Sequence, residues 1–326
     1  MEVDRFILQR TKANRITNRI QVQSLWSGYG NIEKITLEGT DFPSVIVKHV
    51  KPDPGSHPRG WNTDLSHLRK LKSYQVETNW YASQKNKAGN NLARIPACLG
   101  IQKEEDEVLL VLEDLDASGF AGRRGSVNQA EWRACVDWLA AFHAEYLGSA
   151  PDGLWESGTY WHLETRPDEL GRLEDQALKD SAALIDRDLK NCKFQTLVHG
   201  DAKLANFCFN YDGSEVAAVD FQYVGGGCGM KDLAYFVGSC FRDEDAESLE
   251  GEVLDYYFMQ LGNSLGKIES HQSKEELEEA WRPLYRMAWA DFHRFMKGWS
   301  PGHWKLSDYS ERVTREVIES LKEMIP

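Results

Sequence analysis

The stretch from Leu197 to Asp232 constrains this chain more than any other. Its centre reads His199-Gly200-Asp201-Ala202-Lys203-Leu204-Ala205-Asn206, followed by Phe207-Cys208-Phe209, the polar Asn210-Tyr211-Asp212-Gly213-Ser214, the apolar Val216-Ala217-Ala218-Val219 and Asp220. Two short apolar runs around an Asp-Gly turn predict a β-hairpin. With Asn210 paired to Val216, the antiparallel register sets Asn206 directly across from Asp220. Directly opposed residues share a face at roughly 5 Å, a spacing at which an amide oxygen and a carboxylate can share a hard cation. Mg²⁺ takes such oxygen ligands and keeps waters and substrate phosphates as the rest of its shell. Asp201 opens the same segment and can face the site as a base. Acid, amide and acid at these spacings point to phosphoryl transfer.

The rest of the chain sets bounds on that reading. Its 326 residues suffice for one large domain or two lobes with a real core. A net charge of −13 argues against a general nucleic-acid or anionic-membrane binder, since both need basic surface. The six cysteines (98, 135, 192, 208, 228 and 240) show no metal-type spacing and read as buried free thiols in a reducing compartment. The start, Met1-Glu2-Val3-Asp4-Arg5, lacks a signal peptide's apolar core, and no run approaches the ~18 apolar residues of a membrane span. The expected location is cytoplasmic.

The first 115 residues read as a sheet with one helix. Leu25-Trp26-Ser27-Gly28-Tyr29-Gly30-Asn31, followed by Ile32, Ile35 and Leu37, predicts strand, glycine turn, strand. Gly28 and Gly30 let backbone approach a ligand and offer N–H groups to phosphate, although the third glycine of GxGxxG is missing. An ordinary hairpin turn gives the same pattern. Pro43–Val50 is a β-branched strand carrying Lys48, and 64–85 is helical with Glu77 as a candidate partner for that lysine. A Lys–Glu pair would fix the ammonium where it can meet α- and β-phosphates. The Pro/Gly-containing 51–62 is a loop, and Ala93–Gly100 with Val108–Leu112 predict two further strands. Glu113-Asp114-Leu115-Asp116 ends the apolar run abruptly before a Gly/Arg/Ser loop, a crossing whose backbone at Glu113 and Leu115 could meet a nucleotide base.

The second part reads as helical, with candidates at 127–147, 168–190, from Lys231 onward, and near 246–265, 274–297 and 308–324. His143 falls on the apolar face of the first, where a hydrogen-bonded core histidine is expected. Gly225-Gly226-Gly227-Cys228-Gly229 reads as very flexible, and Asp232 reads as an N-cap. Trp281, Tyr285, Trp289 and Phe292 form one helix face, with Phe295 beyond. Most of these aromatics belong to a core, with one or two left to floor a pocket.

A strand lysine, a helix glutamate, and then D-x-K-x-x-N with a later Asp reproduce the protein-kinase-like order of parts. Within that superfamily His199-Gly200-Asp201…Asn206 resembles the aminoglycoside phosphotransferase and choline kinase group. Val219-Asp220-Phe221-Gln222 with Asp232-Leu233-Ala234-Tyr235-Phe236 looks most like its ecdysteroid-kinase-like branch, and Ala140-Ala141-Phe142-His143-Ala144 resembles the helix before the catalytic segment. The resemblance implies an α+β, bilobal protein-kinase-like fold. It places a nucleotide-binding lobe at 1–115 and a mostly helical catalytic and substrate-binding lobe at 116–326. It also implies ATP and Mg²⁺ as cofactors and a small hydroxylated molecule as acceptor. By the same resemblance Asp201 accepts or orients the acceptor hydroxyl and Lys203 contacts the transferred phosphoryl. Asn206 and Asp220 hold Mg²⁺, Lys48 with Glu77 positions the phosphates, and His199 and Asp232 brace the loop. Gln222 stands where protein kinases have glycine, and no long activation segment separates Asp220 from Asp232. Both departures favour a small-molecule kinase. A catalytically silent nucleotide- or ligand-binding protein and a nucleotidyl transferase on the same fold are the alternatives. For the acceptor, the acidic balance points to a cation and the aromatic helix to something with apolar surface.

Overall fold

The computed structural model describes residues 2–25, 28–52, 64–84 and 91–323. Five strands form one antiparallel sheet: β1 (Arg15–Ser24), β2 (Gly30–Glu38), β3 (Ser44–Val50), β4 (Cys98–Glu104) and β5 (Glu107–Glu113), in spatial order β1-β2-β3-β5-β4. Helix α1 (Val3–Thr11) covers one face, packing Phe6 and Ile7 with Ile35, Val45, Val47 and Val111. Helix α2 (Asp64–Gln84) lies at the other, where Val76 and Trp80 join Leu110 and Leu112. Buried on both faces, β3 reads as a near-continuous apolar run broken only by Lys48 and His49.

The strand before the glycine turn is thus Arg15–Ser24, upstream of the expected one. Trp26 and Ser27 lie outside the described residues, as does most of the 51–62 loop. Strand β1 is an edge whose side chains are almost all exposed, yet Ile16, Ile20 and Val22 fall at period-two spacing, a pattern that marks the strand in the sequence. Of Ala93–Gly100, only the last three residues enter β4.

The remainder is mostly helical: α3 (Gln129–Glu145), α4 (Pro167–Arg172), α5 (Gln176–Lys190), and, after four short strands, α6 (Met230–Cys240), α7 (Asp243–Lys267), α8 (Lys274–Trp281), α9 (Leu284–Trp299) and α10 (Asp308–Glu323). Asn128 and Glu131 form a capping box that starts α3. Two expected single helices are broken. Asp175 accepts from the Leu178 N–H at 3.2 Å and starts a new helix after α4. Pro283 lacks the N–H that would carry α8 on, and α9 begins after it.

The short strands are β6 (Thr196–Val198), β7 (Phe207–Phe209), β8 (Val216–Ala218) and β9 (Gly225–Gly227), paired β6 with β9 and β7 with β8. The glycine run read as flexible is therefore a buried strand. Its glycines let Trp155 and Glu156 approach closely: a Cβ on Gly226 would stand 2.7 Å from the Glu156 carbonyl oxygen. The β7–β8 hairpin forms with a register one residue from that expected, pairing Phe207 with Ala218 and Phe209 with Val216. Asn210 Oδ1 accepts from the Glu215 N–H, and Asp212 accepts from the Ser214 N–H and hydroxyl. These side-chain bonds tighten the turn. Asn206 stands across from Val219, whose N–H donates to its carbonyl at 3.0 Å.

The largest apolar cluster joins α2, α3 and this hairpin. Trp80 stacks on Phe221 at 4.9 Å and Trp138 on Phe142 at 4.9 Å. Phe221 adjoins Asp220, so the stack fixes the distance between α2 and the acidic end of the hairpin. Most of the aromatics of α8 and α9 are core, as expected, with Trp281, Tyr285, Trp289 and Phe292 all buried.

Candidate active site

Lys48 on β3 and Glu77 on α2 meet across the sheet-to-helix gap, with Nζ 2.6 Å from Oε2 and both side chains almost fully buried. Burial pushes the Glu77 carboxyl up, and the adjacent ammonium opposes that rise. Lys48 also lies 3.9 Å from Asp220 Oδ1, so the pair points at the hairpin.

The loop after β6 is held by a chain of buried polar groups. Asp232, in the first turn of α6, accepts from the backbone N–H of His199 at 2.5 Å and of Gly200 at 2.9 Å. His143 Nε2 lies 3.2 Å from the same carboxylate, while its Nδ1 meets the Tyr257 hydroxyl at 2.8 Å. His143 is thus the bonded core histidine expected, and Asp232 braces a loop instead of capping its helix. His199 carries its proton on Nε2, which faces the Val219 carbonyl at 3.0 Å, because Nδ1 accepts from the Asp201 N–H. Gly200 has φ +78°, and a Cβ there would overlap the Tyr223 carbonyl.

This bracing aims Asp201 into the cleft. Oδ2 accepts from Lys203 Nζ at 2.8 Å and Asn206 Nδ2 at 3.0 Å, and Oδ1 from the Tyr235 hydroxyl at 3.2 Å. Burial pushes its carboxyl above the ordinary range, with Lys203 pulling the other way. Asp220 adopts φ +69°, a left-handed conformation rare outside glycine. Burial favours its neutral form, but Lys48, Lys70 and Lys203 together hold it below the usual carboxylate range. Asn206 and Asp220 both line the cleft although they are not register partners. The left-handed turn at Asp220, not cross-strand pairing, delivers its side chain there.

Lys48, Glu77, Glu113, Leu115, Asp201, Lys203, Asn206 and Asp220 all line one cleft of about 1340 Å³. Gly28 and Gly30 do not, although their neighbours Leu25 and Tyr29 do. Gly30 answers a packing need: a Cβ would overlap the His49 carbonyl of β3. The Glu113 carboxylate is engaged by Arg94 and the Ala97 N–H, and its own N–H donates to the Ala97 carbonyl at 2.9 Å, so neither is open to a ligand.

Several cleft residues are not among those the sequence singles out. Lys70 sits two turns before Glu77 on one face of α2, a spacing that could have revealed it. Its ammonium donates to Gln222 Oε1 at 2.9 Å, lies 4.7 Å from the Tyr74 ring centre, and is pushed down to about 8 by burial. Gln222 in turn donates to Asp220 Oδ1 at 2.7 Å. The residue that replaces a kinase glycine is thus a strut between α2 and the hairpin. Arg69 and Tyr223 adjoin Lys70 and Gln222 in the chain, whereas Tyr160 and Arg166 come from a distant segment without a local motif.

An antiparallel sheet carrying a buried Lys–Glu pair, set beside a helical part whose loop and hairpin supply Asp201, Asn206 and Asp220 to the same cleft, is the protein-kinase-like fold in its aminoglycoside phosphotransferase form. More narrowly, the chain belongs to the ecdysteroid kinase-like family, whose model matches residues 44–147 and 156–270. No curated protein sequence matches it. Solved structures share the fold at low identity. A microcompartment-associated aminopropanol kinase is similar at 14% identity and TM-score 0.54, covering 97% of this chain and 96% of that one. A thermostable aminoglycoside phosphotransferase mutant, in ternary complex with AMP-PNP and hygromycin B, gives 12%, 0.53, and 98% of each. An amicoumacin kinase in complex with AMP-PNP and Ca²⁺ gives 15%, 0.50, 94% and 89%. No helix among the described residues is long and apolar enough to cross a membrane.

Proposed function

We propose that the chain is an ATP- and Mg²⁺-dependent kinase that moves the γ-phosphoryl group to a hydroxyl of a small molecule, with Asp201 as the base. One observation carries this: Asp201, Asn206 and Asp220 open into the same cleft as the buried Lys48–Glu77 pair. On this reading residues 1–115 form the nucleotide lobe, 116–326 the catalytic lobe, and the site of action is the cytoplasm.

Lys48, held by Glu77, positions the α- and β-phosphates, and the Glu113 carbonyl and the Leu115 backbone meet the base. Among the described residues the Leu115 N–H has no acceptor. The donor set fits a hard cation. Asn206 Nδ2 is engaged by Asp201, which leaves Oδ1 as the oxygen donor, and Asp220 keeps Oδ2 without a partner among the described residues. Two protein oxygens leave room for phosphate oxygens and waters, as Mg²⁺ prefers. When bound, the ion neutralises charge on the transferred phosphoryl.

Asp201 Oδ2 is occupied by Lys203 and Asn206, so Oδ1, with one long hydrogen bond from Tyr235, receives the acceptor hydroxyl. Lys203 sits on the same carboxylate, where it can follow the transferred group. Little covalent chemistry is required, so positioning and charge supply most of the rate. The test is ADP release from MgATP across a library of hydroxylated acceptors, with the phosphorylated product identified by mass. Acceptor-dependent release supports the reading. Nucleotide binding without turnover on any acceptor would favour a catalytically silent protein, and nucleotidylated products would favour the reverse orientation of ATP.

A further inference from the structure

The far end of the cleft, away from Glu113 and Leu115, differs in charge from what a cationic acceptor needs. Two of its acids are engaged: Glu169 by Arg166 at 3.1 Å and Asp201 by Lys203 at 2.8 Å. The acids at the opposite end are engaged too, Asp114 by Lys34 and Asp116 by Arg123. Two aromatic rings at this end already hold the protein's own cations. The Arg166 guanidinium lies 5.1 Å from the Phe295 ring centre, and Lys305 Nζ lies 4.6 Å from that of Tyr235. Tyr235 is the residue whose hydroxyl reaches Asp201, so Lys305 stands one ring behind the reacting position.

Arg69 and Lys305 at this end form no ion pair among the described residues. Arg69 lines the cleft from α2, donating to the Thr165 carbonyl at 2.7 Å and to the Ser66 hydroxyl. Burial pushes Lys305 down to about 8. Eight residues separate Arg69 from Glu77, about 12 Å along the helix, which sets it away from the level of the Lys48 ammonium. Phe295 and Trp299 stack at 5.8 Å with an interplanar angle of 11° and line the same end.

Resting on the kinase reading above, we infer that the acceptor is an anionic hydroxylated molecule with an apolar body. Arg69 receives its carboxylate or other anionic group, the exposed Trp299 ring, backed by the buried Phe295, receives the body, and Lys305 disfavours an ammonium there. A charge-assisted bond to a guanidinium is about twice as strong as a neutral one. The occupied faces supply the repulsion that rejects the amine analogue.

The experiment uses matched triplets of hydroxylated compounds that share a body (flat aromatic, linear or polycyclic) and differ only in a carboxylate, a carboxamide or an aminomethyl group. Direct binding to the full chain is measured calorimetrically with a non-hydrolysable ATP analogue and Mg²⁺ present, and turnover is measured separately. At least one carboxylate should bind roughly tenfold or more tighter than its amine partner. R69Q should bring that ratio near one, R69K should restore part of it, and neither should change nucleotide affinity. Equal or amine-favouring binding throughout, no binding by any triplet, or a loss of nucleotide affinity in R69Q that matches the carboxylate loss would overturn the inference. Carboxylate-selective binding without turnover would uphold the inference and sink the kinase reading instead.

Discussion

Lys48 and Glu77 form a buried ion pair, 2.6 Å apart, between the central strand of the sheet and the one helix that also carries Lys70 and Trp80. Buried pairs contribute little against an apolar substitute, but half a pair is costly. K48M strands a carboxylate in low dielectric and should destabilise the fold by about 3 kcal/mol. Because the stranded Glu77 can take a proton, the loss should shrink as pH falls. The double variant K48M/E77Q should recover most of it. Urea unfolding of the four proteins in a double-mutant cycle measures the coupling. A K48M effect as small as that of a surface lysine would contradict the burial.

Asp220 and Asn206 separate metal binding from nucleotide binding. In D220A the apparent affinity for ATP should fall roughly tenfold or more, about 1.4 kcal/mol per decade, when Mg²⁺ is present. Without Mg²⁺ the variant should bind ATP no more weakly than the parent, since a negative charge beside Lys48 has been removed. Titration with and without chelator reads both. An equal loss in the two conditions would assign Asp220 a structural role.

His293 makes stability depend on pH far from the cleft. It is buried in α9 beside Ser310 and Glu311, and burial pushes its imidazole down to about 4. An unfolded histidine titrates near 6.5, so between those values the unfolded chain binds the extra proton. Stability is therefore full above about pH 6.5 and falls as pH drops toward 4, by on the order of 3 kcal/mol. Glu311, held down to about 2 by Lys297, Arg315 and His293 against its own burial, extends the acid loss below its unfolded value. H293N should flatten the upper part of this profile, measured as denaturation midpoint against pH. An unchanged slope would contradict the assignment.

The sequence made some of this legible and hid the rest for physical reasons. Asp201, Lys203 and Asn206 are readable because one short loop carries all three at fixed spacing. Lys48 and Glu77 are readable because a lone lysine in an apolar strand asks for a partner. The hairpin is visible in the sequence, but its register is not. Asn210 and Asp212 side chains tighten the turn, and only their bonds decide that. The glycine run 225–227 reads as mobile because glycine permits mobility, whereas here it permits close approach of Trp155 and Glu156. Tyr160 and Arg166 belong to the cleft through tertiary packing alone. Pro283 is a break in plain view, masked by the aromatic periodicity on either side of it.

The base assignment bears the most weight, and D201A with D201N tests it most directly. Single-turnover phosphoryl transfer to an acceptor found in the library should fall by roughly 10³-fold or more, within the range general-base removal reaches and beyond what loss of one hydrogen bond gives. MgATP affinity should stay within about threefold of the parent by the same arithmetic. Turnover in D201A close to that of the parent, with ATP binding intact, would contradict the mechanism.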